Sequence, residues 1–182
     1  MERTKKPKSA PSNSQTALSH LDHLGRASMV NVGSKEVTTR KAIAGGEIRL
    51  STKAMRLLSG GGVPKGDVFT VAKVAAIMAA KRTAELIPLC HPVPVSHVDI
   101  QFQLDEARRC VTVTAEASTA AQTGVEMEAL TAAAVALLTI YDMMKAADKG
   151  MSISNVRLLR KEGGKSGLFV NEIGEDELPV SD

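Results

Sequence analysis

The segment that most constrains the fold is Ala129–Tyr141, in which Thr131 and Thr139 are the only polar residues before the final tyrosine. Its surroundings predict a helix from Gly124 to Asp148, and this run is apolar on every side. Such a helix has to be covered on every side. One sheet covers one face, so we expect a second helix and a second subunit to cover the others. We therefore predict an oligomer. The run is too short to cross a bilayer, so we predict no membrane partner.

Strand and helix patterns alternate along the rest of the chain. Apolar residues occupy every second position from Val98 to Leu104, which is the period of a half-buried strand, and the run from Val111 to Ala117 repeats it. Counted from residue 40, with two consecutive helices as one crossover, the order is βαββαβ. This order predicts an α+β fold, a ferredoxin-like sandwich with an antiparallel sheet and helices packed on one face. The remaining predicted strands are Met29–Val32, Arg40–Leu50 and Ile153–Arg160, and the remaining predicted helices are Ser51–Leu58 and Asp67–Ile87.

Two tails flank the predicted domain. Residues 1–24 are rich in Ser, Pro and Lys and lack apolar periodicity, so we predict that this tail is disordered. Residues 171–182 are predicted to form an acidic tail. Residues 25–170 are then a single folded domain, which is an ordinary size for one hydrophobic core.

Charge and cysteine content limit the cellular compartments and the classes of binding partner that suit this chain. The net charge of +3 is weaker than the footprint of a nucleic-acid-binding protein, although it suits a phosphorylated small ligand. Two cysteines are not a disulfide framework, and residues 1–24 contain no apolar signal-peptide core. A mitochondrial transit peptide is the alternative, and Glu2 and Asp22 argue against it. We therefore predict a soluble, cytoplasmic protein that does not bind nucleic acid.

A rigid segment, Leu86–Pro92, ends the helix that is predicted at Asp67–Ile87. Pro88 and Pro92 fix the backbone on either side of Cys90 and His91, so the segment can present main-chain groups and an imidazole to a ligand. A stiff connection with an incidental histidine explains the same pattern.

A zinc site is a third interpretation of this region. Its ligands would be Cys90, His91, His97 and Cys110. Adjacent cysteine and histidine side chains do not easily reach one metal ion, and the chain has no C-x2-C pair. We therefore predict no metal site.

The start of the apolar helix carries the string TGVEME, residues 123–128. Thr123 and Glu126 match a capping box, T-x-x-E. The box does not account for Glu128, because residues two apart point to different sides of a regular helix. Both glutamates can face one ligand only if the helix begins close to them.

The end of the same helix carries Asp142 and Lys145, three residues apart on one face. As an exposed ion pair they would contribute a few tenths of a kcal/mol to stability. In a dry cleft beside apolar turns, a carboxylate and an amine can instead be tuned as a base and an acid. We therefore predict an enzyme site built from residues 86–91 and 123–145.

Two further segments suit an anion. Lys65 lies beside the predicted start of a helix at Asp67, where free backbone N–H groups attract negative charge. A solvated lysine with Asp67 as the helix cap is the alternative. The string GGKSG, residues 163–167, is not a P-loop, because Leu159 stands where the first glycine is needed and no long helix follows. We interpret it as a mobile glycine loop that can touch phosphate through Lys165.

Together these segments resemble the MoaC family of molybdenum cofactor biosynthesis. The matching strings are KGDVF (65–69), AAKRTAELIPLCHP (79–92), TGVEMEALTAA (123–133), LTIYDMMKA (138–146) and VRLLRKEGGKSG (156–167). They follow the family's order and lie within about residues 28–170. The strings LIPLCHP and TGVEMEALTAA are specific, so chance explains them poorly.

The resemblance implies a lyase that converts 3′,8-cyclo-7,8-dihydroguanosine 5′-triphosphate into cyclic pyranopterin monophosphate and pyrophosphate. It implies that Asp142 is the catalytic aspartate and that Lys65 and Lys145 are essential lysines. It implies no cofactor, and it leaves open whether Mg²⁺ accompanies the triphosphate. The substrate contacts that it implies are Leu89, Cys90, His91, Glu126, Met127 and Glu128, with Arg40 and Lys81 as contacts to the triphosphate.

The resemblance also implies a hexamer, built as a trimer of dimers. Glu128 and Asp142 are about 21 Å apart along a straight helix, because each residue adds 1.5 Å. Either the long substrate spans both residues in one chain or each site is shared between subunits. We predict shared sites at subunit interfaces.

Two other classes of function fit the sequence less well. An RNA-binding sheet needs exposed aromatic residues, whereas Phe102 belongs to the apolar, core-facing set of its predicted strand. A catalytically inactive scaffold is the second alternative, and the intact lysine, aspartate and histidine positions argue against it. One departure from the family pattern is the pair Ala121-Gln122, which stands where a basic residue is expected and puts one phosphate contact in question.

Overall fold

A computed structural model describes residues 26–171 of the chain. Residues 26–30 belong to a separate unit, and the unit that begins at Asn31 contains the sheet and the helices. The predicted tail 1–24 and, apart from Asn171, the predicted tail 171–182 lie outside the described residues.

Five antiparallel strands form one sheet in the order β2-β3-β1-β4-β5. The first four strands have the order and connections of a ferredoxin-like sandwich, so the predicted α+β fold is confirmed. The strands are β1 (Thr38–Arg49), β2 (His97–Asp105), β3 (Cys110–Ala121), β4 (Ser152–Glu162) and β5 (Phe169–Val170), and the helices are α1 (Thr52–Ser59), α2 (Val68–Lys81), α3 (Thr83–Leu86) and α4 (Glu126–Met144).

Two predicted strand assignments need correction. Met29–Val32 is not a strand. The Asn31 side chain accepts a hydrogen bond from the Gly33 amide, and the Lys35 amide donates to the Val32 carbonyl, so the segment closes turns instead of pairing. Strand β5, whose two residues pair with the end of β4, was not predicted from the sequence.

Caps explain where the first two helices begin. The Ser51 hydroxyl accepts a hydrogen bond from the Ala54 amide, as predicted for the start of α1. Asp67 caps α2 by accepting from the amides of Phe69 and Thr70. These contacts satisfy backbone donors that a first helical turn leaves without intrahelical partners.

The helix predicted over Asp67–Ile87 is broken at Arg82. The buried Thr83 hydroxyl donates to the carbonyls of Ala79 and Ala80, 3.3 and 3.0 Å away. A hydroxyl that bonds back to the preceding turn disturbs the helical pattern. Arg82 has a non-helical backbone, with φ −114° and ψ 14°, and the short α3 that follows leads into Pro88.

Helix α4 begins at Glu126, and the predicted capping box is wrong. Val125 is the N-cap, without a side-chain hydrogen bond. Glu126 instead forms an ion pair with Lys161 of β4, with its Oε1 3.2 Å from the lysine Nζ. Glu126 therefore pairs with a distant strand instead of capping its own helix.

Small side chains let α4 lie close to the sheet. Alanines on the helix meet alanines on β1 and β3, and a Cβ at Gly46 of β1 would come within 2.7 Å of the Leu137 Cδ1. These contacts, together with packing against α2, cover most of α4. By length and hydropathy α4 could cross a membrane, but half of its apolar stretch is buried within the fold. The alanines concerned are Ala42, Ala44, Ala115, Ala117, Ala129, Ala132, Ala133 and Ala136.

An apolar stripe on α2 stays exposed in the single chain. Val71, Val74 and Met78 are 44, 53 and 49 % exposed, and Leu138 of α4 is 57 % exposed. Residues spaced by three and four lie on one face of a helix. A contiguous apolar face of this kind is typical of an interaction surface.

Candidate functional site

Three predicted catalytic residues meet at the C-terminal end of α4, and we call Lys65, Asp142 and Lys145 the lysine–aspartate cluster. The Lys65 Nζ donates to the Asp142 carbonyl at 2.8 Å and lies 3.2 Å from its carboxylate Oδ2. The Lys145 Nζ pairs with Oδ1 of the same carboxylate. Two lysines therefore hold one aspartate between them.

The electrostatics of this cluster favour the charged forms of Asp142 and Lys145. The hydrogen bond from Lys145, followed by the one from Lys65, holds the pKa of Asp142 below its usual value. In return, the hydrogen bond to Asp142 raises the pKa of Lys145. All three side chains are about half exposed. The cluster is thus an open, charged surface that a ligand or a second subunit can cover.

Helix α1 and the glycine loop after it place Lys65 beside Asp142. The Asp148 carboxylate, just after α4, accepts a hydrogen bond from the Ser51 amide at 2.7 Å. Helix α1 then leads to the glycines at 60–62 and to a turn in which the Gly66 amide donates to the Val63 carbonyl. Gly66 has a φ of +93°, which favours glycine. The two ends of the segment that carries Lys65 are both tied to the end of α4.

The opposite end of α4 holds the helix-start cluster, which consists of residues 89–91 and 126–128. Glu128 is 4 % exposed, and burial raises its pKa to about 6. Burial, with the charge of Glu128 as the second cause, raises the pKa of the Cys90 thiol. Helix α3, which leads into residues 89–91, contacts α4, so the two predicted substrate-contacting segments lie at the same end of the molecule. Leu89, His91, Glu126 and Met127 are each partly buried.

A basic pocket adjoins this end of the molecule. It is a cavity of about 790 Å³ that contains three cationic side chains and one carboxylate. Arg40 is anchored there by hydrogen bonds from Nε to the Ala121 carbonyl and from Nη2 to the Gln122 carbonyl, 3.2 and 3.3 Å long. The residues that line it are Lys35, Glu36, Thr38, Arg40, Gly164, Lys165 and Ser166.

Lys161 connects the basic pocket to the helix-start cluster. Its Nζ lies 3.2 Å from the Glu126 Oε1 and donates to the Ser166 hydroxyl at 2.9 Å. This role of Lys161 was not predicted, although Lys161 lies in the matching string 156–167. Lys81, by contrast, is exposed at the last residue of α2 and is not among the residues that line the pocket.

Gln122 occupies the position where a basic residue was expected. Its side-chain amide donates to the carbonyls of Gly33 and Lys35 at 3.2 and 3.0 Å, and its own carbonyl accepts from Arg40. Gln122 therefore organises the pocket wall without carrying charge. This contribution of Gln122 was not predicted either.

The predicted site residues form two groups at the ends of one helix. Helix α4 has 19 residues, so its ends are roughly 27 Å apart along the axis. The lysine–aspartate cluster lies at one end, and the helix-start cluster and the basic pocket lie at the other. A single chain does not bring all of these residues together.

The alternative functions have specific structural obstacles. Cys110, part of the hypothetical zinc site, is buried and donates to the Glu47 carboxylate at 3.4 Å. Within residues 26–171 no group of three or more His, Cys, Asp or Glu side chains could hold a metal ion. Phe102 packs against Phe69 with ring centroids 5.0 Å apart, so it is occupied in the core and not free to stack on a base.

Comparison with known proteins identifies the family. The sequence model of the MoaC family matches residues 29–164. The chain is 56 % identical over 154 residues to the cyclic pyranopterin monophosphate synthase of Pelotomaculum thermopropionicum, across 85 % of this chain and 91 % of that protein. It is 55 % identical over 161 residues to the synthase of the same name from Chloroflexus aggregans, across 88 and 98 % of the two chains. The chain belongs to the MoaC family.

Proposed function

We propose that this protein is a cyclic pyranopterin monophosphate synthase of molybdenum cofactor biosynthesis. Its substrate is 3′,8-cyclo-7,8-dihydroguanosine 5′-triphosphate, and its products are cyclic pyranopterin monophosphate and pyrophosphate. The observation that carries the proposal is the lysine–aspartate cluster, in which one carboxylate is held by two lysines at the end of a helix. Relatives that bear this name are more than half identical to the chain over most of its length.

The residue types of the cluster suit the two parts of this reaction. The purine ring is opened by water and closed again as a pterin, which requires proton transfers that a carboxylate and lysines can supply. A hydroxyl group then forms a bond to the α-phosphorus, and the bond to the pyrophosphate oxygen breaks. Lys65 and Lys145 stabilise the negative charge that develops on the phosphoryl oxygens. The reaction is redox-neutral, so the proposal requires no redox cofactor.

The triphosphate is assigned to the basic pocket. Arg40 presents a planar guanidinium there, and Lys35 and Lys165 add two cationic side chains. A guanidinium matches phosphate geometry, and lysines add positive charge. Lys161 then links the pocket to Glu126, so the rest of the substrate extends toward Glu128 and residues 89–91. Mg²⁺ can accompany the triphosphate, and assays with and without Mg²⁺ address that point.

We assign each active site to two subunits. The lysine–aspartate cluster of one chain would meet the helix-start cluster and basic pocket of its partner, because one chain holds them at opposite ends of α4. The exposed stripe on α2 provides a surface for such an assembly, which we propose to be a hexamer made of three dimers. Soluble biosynthetic enzymes of this kind work in the cytoplasm, which is the proposed location.

Turnover of the purified protein tests the function. Incubation with the cyclised dihydro-GTP should release pyrophosphate and yield the fluorescent oxidation product of the pterin. Asp142→Ala should reduce both signals by at least about a hundredfold, because it removes the carboxylate between the lysines. Asp99→Ala is the matched control, since Asp99 also pairs with a lysine, Lys73, at 2.8 Å, but outside the site.

The outcomes separate the proposal from its alternative. Equal loss in the two variants would show that the lysine–aspartate cluster has no special role. No product from the folded wild-type protein with fresh substrate would overturn the synthase assignment and favour the inactive scaffold.

A further inference from the structure

The turn at Gly163–Gly164 packs directly against Arg40 and the residue before it. Both glycines have positive φ, +90° and +70°. A Cβ at position 164 would overlap the Nη1 of the Arg40 guanidinium, and a Cβ at position 163 would overlap the Thr39 carbonyl oxygen. The glycines are therefore required by contact with neighbouring atoms as well as by backbone conformation.

Gly167, three residues further, provides the contrast. Its φ is +63°, close to that of Gly164, and a Cβ there would meet no atom within 4 Å. A substitution to alanine thus carries a similar backbone cost at both positions. The difference between the two positions is the contact with Arg40.

Arg40 is held from its other side as well. Its Nε and Nη2 donate to the carbonyls of Ala121 and Gln122. A guanidinium has five N–H donors. Within residues 26–171 the Arg40 guanidinium makes these two hydrogen bonds and no others, so three of its N–H groups remain for a ligand. The guanidinium is held in place and still has unused hydrogen-bond donors. Binding a ligand therefore costs less conformational entropy than it would with a mobile side chain.

Other groups around Arg40 share this readiness for an anion. The Thr38 hydroxyl oxygen is buried and has no hydrogen-bond partner in the part of the chain that the structure describes. Thr38 and Lys165 both line the basic pocket. A buried hydroxyl without a partner is costly, and a ligand oxygen in the pocket would remove that cost. Ser166, next to Lys165, is held by Lys161 at 2.9 Å.

We infer that the Gly163–Gly164 turn is a positioning element that fixes Arg40 for the polyphosphate part of the substrate, and that Thr38 is a further binding group in the same pocket. The inference rests on the proposed function, which it deepens. It assigns to the glycine string a defined role, which is to shape the wall of the pocket.

Binding of inorganic tripolyphosphate, measured by calorimetry, tests the inference without requiring turnover. Gly164→Ala should weaken binding about tenfold or more, because it displaces a guanidinium that contacts phosphate. Gly167→Ala should stay within about twofold of wild type, because only the shared backbone cost remains. Thr38→Val should weaken binding severalfold through the loss of a hydroxyl donor. With the full substrate, Gly164→Ala should raise KM with little change in kcat.

A double-substitution cycle separates positioning from general damage. In an Arg40→Lys background, Gly164→Ala should have almost no further effect on tripolyphosphate binding, because the planar group that it displaces is already absent. Thr38→Val supplies a second test if Gly164→Ala does not fold. Equal affinity of Gly164→Ala and Gly167→Ala, unchanged affinity of Thr38→Val, or no binding by wild type would overturn the inference. Turnover by wild type would still support the proposed function in each of those cases.

Discussion

At the scale of single residues, Glu128 differs from the other carboxylates of the site because it is buried. Burial raises its pKa to about 6, from an ordinary 4.5. Below about pH 4.5 the carboxyl group is protonated in both the folded and the unfolded protein. Between these two values the folded state holds the proton more tightly, so the free energy of unfolding falls as pH rises. Above pH 6 the destabilisation reaches its full value, about 2 kcal/mol.

Glu128→Gln should remove this pH dependence. We expect the variant to gain stability relative to wild type between pH 4 and pH 7.5, by up to about 2 kcal/mol. Urea unfolding at fixed protein concentration measures the difference. Glu162→Gln is the control, because its carboxylate pairs with Arg160 at the surface. Parallel pH profiles for wild type and Glu128→Gln would mean that Glu128 titrates normally.

Some groupings of residues were predictable from the sequence, and others were not. The strings around Lys65, Asp142 and Lys145 predicted one shared site, and the structure brings these three side chains together. Lys161 and Gln122 were missed because their roles depend on partners distant in sequence. Periodicity and local spacing carry no signal for such contacts.

At the scale of elements, a single aspartate connects the end of α4 to the start of α1. Asp148 accepts from the Ser51 amide at 2.7 Å and from the Gly150 amide at 2.8 Å, and the Ser51 bond lowers its pKa most. Because the pKa of Asp148 is lowered in the folded protein, these hydrogen bonds stabilise the fold at pH values above the ordinary pKa near 3.8. The stabilisation is lost as the pH falls through the pKa of the folded state.

Asp148→Ala should loosen the segment that carries Lys65. We expect kcat to fall severalfold and amide exchange at Ser51 to accelerate, because the anchor of α1 is removed. Hydrogen-exchange mass spectrometry and steady-state kinetics measure the two effects. Asp105→Ala is the matched control, since Asp105 accepts from the Arg108 amide at 2.8 Å in the β2–β3 turn. Faster exchange at Ser51 with full activity would disprove the link to Lys65.

Element types were predictable where periodicity was strong, and boundaries failed where distant contacts intervened. The alternation from Val98 to Leu104 predicted a strand, and this segment lies within β2. The apolar run predicted a helix, and this run lies within α4. The break at Arg82 follows from the buried Thr83 hydroxyl, and the missing capping box follows from the ion pair with Lys161. Both depend on the tertiary environment, which overrides local propensity.

At the scale of the whole molecule, the apolar stripe on α2 bears on assembly. Val74→Asp should reduce the oligomer size, because a charge would have to be buried in the interface. Light scattering after size exclusion measures the mass. Val156→Asp is the control, since Val156 is 40 % exposed and lies on β4, outside α2 and outside the residues that line the basic pocket. An unchanged mass for Val74→Asp would exclude the stripe from the interface.

The central claim is that two chains complete each catalytic site, and complementation tests it most directly. Asp142→Ala removes the lysine–aspartate cluster's carboxylate, and Arg40→Ala removes the anchor in the basic pocket. Substitutions must come from these different clusters, because Lys65 and Asp142 lie together in one chain.

Equal amounts of the two variants are unfolded together, reassembled and assayed for release of pyrophosphate at a concentration of the cyclised dihydro-GTP well below the raised KM of Arg40→Ala, where neither variant is active by itself. Half of the random dimers contain one chain of each kind, and one of their two sites is intact, so the account predicts about a quarter of wild-type activity. A mixture no more active than the separate variants, beside an active wild-type protein treated in the same way, would contradict it.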